Sequence, residues 1–177
     1  MAEYDIDFAG KFIDAARIEE KKDSLQTQES IRFVILEALF ACEMSMTAFL
    51  ESAGFTPNEL KFCSHDLSKL SDYLCFCEVE KEIGPENPVW VSAACLRSST
   101  IRTPDGTAST IGSLLERLSK DTSQYPNQLR YGESFIHYPP QVVLEMAQRI
   151  HGWCINHWSN PRRKSGTPQQ TIRKRRR

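Results

Sequence analysis

Hydrophobic positions recur in steps of three and four through most of the chain. The densest run is Glu29–Ser52, with Ile31, Val34, Ile35, Ala38, Leu39, Ala41, Cys42, Met46, Phe49 and Leu50 on one side of a helix. Phe33, Leu36 and Phe40 widen that stripe towards a second face, so this helix is expected to have neighbours on more than one side. Gly54 follows the last periodic residue, where helices commonly stop. A membrane span is disfavoured, because Arg32, Glu37 and Glu43 are spread through the run.

The same period predicts a first helix over Tyr4–Lys22, with Phe8, Phe12, Ile13 and Ala16 on its apolar face. Thr56-Pro57-Asn58-Glu59 reads as a capping box with proline at the first helical position. From there Leu60, Cys63, Leu67, Leu70, Leu74 and Cys77 predict a helix to about Val79, unless a separate helix starts at His65. The stretch 84–106 is punctuated by prolines and Asp105-Gly106. Pro88 to Leu96 reads as a helical turn or a short strand. Ile111, Leu114, Leu115 and Leu118 mark a short helix. Pro139-Pro140 opens the last one, with Val143, Met146, Ile150, Trp153, Cys154 and His157 in its stripe and Pro161 closing it. No strand is convincing in this pattern, so the expected class is all-α: a helical bundle with an irregular insertion.

Charge divides the chain. Eight of the 22 basic residues follow Pro161 and no acidic residue follows Glu145. The body therefore holds 14 basic against 23 acidic residues, a net of −9, and the tail is +8. The expected organisation is a bundle over 1–160 and a disordered basic tail over 161–177, which either binds nucleic acid or is a solvated end that aids solubility or folds back on the acidic body. No secretory signal is visible, so the six cysteines are read as reduced thiols of a cytoplasmic protein.

Candidate chemistry is sparse. Cys63-Ser64-His65 and Cys75-Phe76-Cys77 diverge on a helix, so buried thiols explain them better than a metal site. His65-Asp66 reads as a hydrogen-bonded pair shaping a helix start or packing against a loop. Glu43 lies on the apolar second helix, either at its wet edge or buried against a cation. Arg130 and His137, with Tyr131 between them, could clamp a phosphate and move a proton, the minimum for cutting RNA with its own 2′-hydroxyl. The plainer reading is an arginine tied to a bundle carboxylate, such as Glu43, beside an inert loop histidine.

The order Ala41-Cys42-Glu43-Met44, then Ser64-His65-Asp66-Leu67-Ser68-Lys69-Leu70, then Leu129-Arg130-Tyr131-Gly132, then a closing amphipathic helix resembles the HEPN domain family. These are nucleotide-binding helical domains of higher eukaryotes and prokaryotes. The resemblance spans roughly Phe8–Trp158. It implies a bundle of four or five helices, often a homodimer with the active cleft between subunits. Many members are metal-independent ribonucleases of toxin–antitoxin, phage-defence or RNA-processing systems. Others act as binding modules beside a nucleotidyltransferase. Carried onto this chain, it implies Arg130 on phosphate, His137 as acid or base, and Glu43 orienting the arginine. Tyr131 replaces the usual polar residue, Thr47 replaces a common lysine, and Gly132 points to a loop where the family has helix. The expected partners are RNA or a nucleotide, a second copy, and an antitoxin or nucleotidyltransferase. No cofactor and no membrane partner is expected. The alternative is a non-catalytic module for dimerisation or partner docking.

Overall fold

A computed structural model describes residues 5–22, 27–63, 65–82, 88–121 and 139–164. The protein is mostly helical. The helices are α1 (Ile6–Glu20), α2 (Gln28–Ser52), α3 (Pro57–Cys63), α4 (Leu67–Leu74), α5 (Ala94–Ser98), α6 (Ile111–Asp121) and α7 (Pro140–Asn156). The strands are β1 (Cys77–Glu82), β2 (Pro88–Ser92), β3 (Thr100–Arg102), β4 (Ala108–Thr110) and β5 (Pro161–Arg163).

Helix α2 is the axis. Thr27 caps it by accepting from the Ser30 N–H at 3.2 Å. Its far end turns at Gly54, whose φ of 91° is a left-handed value that glycine adopts without strain. Helices α1, α3, α4 and α7 and strand β5 all pack on it. Val34, Ala38, Ala41, Cys42, Ala48, Phe49 and Leu50 lose all contact with solvent. Small residues let α1 and α7 approach closely, and Phe49 meets Trp153 at 5.1 Å and Trp158 at 6.3 Å between ring centres. By length and apolarity α2 could cross a membrane, yet 67% of its most apolar window is buried by the rest of the protein. It is the helix around which the core forms.

The second face expected on α2 is only partly covered. Phe33 is exposed, whereas Leu36 and Phe40 are half-buried. The stripe of α1 is also turned from its expected position. Ile6, Ala9, Ile13 and Ala16 are inward, and Phe8 lies outside. Phe8 meets Phe12 edge-on at 5.2 Å, and Phe12 meets Phe40 at 5.8 Å, so the aromatics form a ridge over the α1–α2 seam.

Two sheets correct the all-α expectation. The long helix expected from Leu60 to Val79 breaks twice. Asp66 accepts from the Lys69 N–H at 3.1 Å and starts α4 afresh. Past Leu74 the period changes to two: Cys77 and Val79 are buried, while Glu80 is exposed. This strand pairs with β2 and β5 in the order β2-β1-β5, all antiparallel. The region expected to be irregular thus contains ordered β2, α5 and the β3–β4 hairpin. Arg97 of α5 pairs with Asp72 of α4 and, at 2.7 Å, with Glu116 of α6, which ties this region to the bundle.

The tail begins later than expected. Residues 161–163 are strand β5, opposite Val79, Glu78 and Cys77, and the Lys164 N–H donates to the Phe76 carbonyl at 2.8 Å. Residues 165–177, the remainder of the expected tail, lie outside the described residues.

Candidate functional site

The α3–α4 junction brings two of the singled-out residues together. The capping box forms as expected: the Thr56 N–H donates to Glu59 Oε2 at 2.9 Å, and the Glu59 N–H donates to Thr56 Oγ1 at 3.4 Å. Helix α3 ends at Cys63, and the Asp66 N–H donates back to the Cys63 carbonyl at 3.0 Å. This tight reversal aims His65 at α2. There its Nδ1 lies 2.8 Å from Glu43 Oε1. The carboxylate is nearly covered, with 14% of the side chain exposed, whereas the imidazole is 49% exposed.

That asymmetry has chemical content. A carboxylate on Nδ1 holds the proton of the neutral ring there, which makes Nε2 the basic nitrogen. Glu43 therefore fixes the ring and its tautomer, and the ring is half in solvent.

Asp66 has a different role from its neighbour. It caps α4 and bridges to Lys69 at 2.9 Å. Partial burial raises its pKa, but hydrogen bonds from Lys69 and from Ser119, with the Lys69 charge, outweigh that and hold it below the usual value of 3.8. The expected His65-Asp66 pair is thus split: Asp66 shapes the helix start, and His65 faces another helix.

Arg130, Tyr131 and His137 lie outside the described residues, and so does the expected contact between Glu43 and Arg130.

Four of the six cysteines are core residues; Cys75, expected to be buried, is half-buried, and Cys95 is exposed. Cys42, Cys63, Cys77 and Cys154 are buried. Burial pushes the Cys63 thiol up to about 11 and the Cys77 thiol up to about 12. It raises the Cys42 and Cys154 thiols as well. Thiolate chemistry at these positions is costly.

Two further polar contacts were not foreseen. Ser45 on α2 and Nδ1 of His151 on α7 lie 3.0 Å apart. Ser45 has no solvent exposure and His151 is partly buried, so the contact ties α2 to α7. Burial lowers the His151 pKa from 6.5, against weaker upward pulls from Asp7 and Asp14. These partners stand 106 positions apart, beyond any local signal. The second is on the sheet. Arg163 points to the bundle, 2.9 Å from Glu59 and stacked 4.2 Å above the Phe55 ring. Arg162 points the other way, over Trp90.

Comparison with protein-family models, with curated proteins and with solved structures finds no match for this chain.

Proposed function

We propose that this chain is a HEPN-type domain that binds RNA and cuts it without a metal ion, with His65 and Glu43 in its reaction site. One observation carries the reading: the 2.8 Å contact between Glu43 and a half-exposed His65. A carboxylate-oriented imidazole is the arrangement that general base catalysis needs. In the reaction, one base removes the proton of the ribose 2′-hydroxyl as that oxygen attacks phosphorus. The 5′-oxygen leaves with a proton supplied by an acid, and a 2′,3′-cyclic phosphate remains. His65 takes the base role here. The resemblance supplies Arg130 for the phosphate and His137 as acid or base; with His65 as the base, His137 is left to protonate the leaving oxygen. A second copy completes the cleft, and an antitoxin or nucleotidyltransferase is the candidate partner, in the cytoplasm.

The test is incubation of the purified chain with bulk RNA in the presence of a chelator, followed by end-group analysis. Cleavage leaving cyclic phosphates, and lost in Arg130→Ala and His137→Ala, supports the reading. Intact RNA with every form rejects it.

The ridge of Phe8, Phe12 and Phe40, with Phe33 exposed, favours a second reading. Exposed aromatics are common anchors at interfaces. On this reading the chain is a non-catalytic module that docks a partner or a second copy. A mass in solution above that of one chain, with no cleavage of RNA, selects it.

A further inference from the structure

The β5 edge of the sheet carries a cleft of about 430 Å³ lined by Glu78, Arg162, Arg163 and Lys164. Register explains its composition. Arg162 sits opposite Glu78 and Glu80 sits opposite Trp90, so these four share one face. Cys77, Val79 and Arg163 alternate onto the other face, which is buried against the bundle. The Arg163–Glu59 contact thus fixes the strand, and Arg162 and Lys164 are left on the outside.

These two cations are held differently from Arg163. The Arg162 guanidinium lies 3.3 Å from the centre of the Trp90 ring. Stacking fixes its plane and turns its N–H edges outward around the ring. Its distance to Glu78 is 3.6 Å, and that of Lys164 to the same carboxylate is 3.2 Å. Both exceed the 2.7–2.9 Å usual for a charge-assisted hydrogen bond. One carboxylate is shared by two cations among the lining residues, an excess of one positive charge there, while Glu80 stands on the same face outside the lining, opposite Trp90. Five more basic residues, Arg173 to Arg177, follow within the next thirteen positions of the chain.

We propose that this cleft binds the phosphate backbone of single-stranded nucleic acid, and that Glu78 is a placeholder displaced by the incoming phosphate. Trp90 orients Arg162 and lies beside the path of the bases. A planar guanidinium fork and an aromatic ring on a sheet suit a nucleic-acid strand better than a lipid surface, which asks for inserted apolar side chains. The inference does not depend on the cleavage reading, because none of the residues it uses belongs to that site.

The test is the affinity of the full chain for a labelled oligodeoxythymidine strand, which lacks the 2′-hydroxyl and cannot be cleaved by that route. Affinity is measured over a salt series. Glu78→Gln removes the placeholder and should tighten binding about threefold, a gain that misfolding does not produce. Arg162→Gln combined with Lys164→Gln should weaken binding about tenfold at low salt. It should also flatten the log–log salt slope by about 1.4, as expected for two lost contacts on a single strand. A melting curve of the double variant close to that of the parent chain shows that the strap through Arg163 is intact. Unchanged affinity in Glu78→Gln overturns the proposal, and so does an unchanged salt slope in the double variant. Binding to phosphatidylglycerol vesicles without binding to the oligonucleotide overturns it in favour of a membrane surface.

Discussion

Two carboxylates, Glu59 and Glu43, each reach a side chain on a distant segment, Arg163 and His65, at nearly the same distance, 2.9 and 2.8 Å. Their surroundings differ. Glu59 and Arg163 are both largely covered, at 11% and 19% exposure, and Phe55 stacks on the guanidinium. Glu43 is covered to a similar degree, but its partner His65 is half in solvent. A contact enclosed on both sides can only hold segments together. A contact enclosed on one side holds a group in place while leaving it in reach of a ligand. Distance alone does not distinguish a strap from a reactive pair; the burial of the second partner does.

Breaking each contact should expose the difference. Arg163→Ala leaves the Glu59 charge nearly buried and unpairs β5, and should cost about 2–3 kcal/mol in urea unfolding. His65→Ala should cost about 0.5 kcal/mol or less, as for partly exposed pairs. Equal costs would erase the distinction between them. Thr56→Ala removes the cap that also positions Glu59 and should cost about 1 kcal/mol.

Acidity sharpens the comparison further. His151 has its folded-state pKa depressed by burial, so the unfolded chain binds more protons below the ordinary value of 6.5. The stability this group contributes is complete above pH 6.5 and is lost as pH falls from there through the lowered folded value. His151→Gln should flatten the stability–pH curve in that window. Asp66, also depressed, contributes above its usual 3.8 and loses its contribution as pH falls through the lower folded value. Asp66→Asn, which keeps a capping side chain, should leave stability near neutrality lower by about 0.5 kcal/mol and remove that acid-side loss. Urea titrations at stepped pH check both.

Much of the helical frame is legible in the sequence. The α2 stripe, the capping box at Thr56 and the proline-opened α7 are local signals, and local physics suffices to form them. The α3–α4–β1 region misleads for a definite reason. Leu60, Cys63, Leu67, Leu70, Leu74 and Cys77 keep helical spacing across two breaks, because the first inward residue of β1 falls in phase with the stripe before it. The alternation Cys77, Glu78, Val79, Glu80 was the available sign of a strand. Strand β5 had no such sign, since Pro161-Arg162-Arg163 reads as a charged end until Val79, 82 positions earlier, pairs with it. For the site, Glu43 and His65 could each be singled out as polar residues in apolar stripes. Their pairing could not, because it depends on a chain reversal at Asp66 that packs α4 against α2.

The most direct test of the central claim is the rate of RNA cleavage in chelator by the parent chain and by His65→Ala, each with its melting temperature. If Glu43 holds His65 as a working base, the substitution lowers the rate about a hundredfold or more and leaves the melting temperature within a few degrees. An undiminished rate in His65→Ala, or no cleavage by the parent chain, contradicts it.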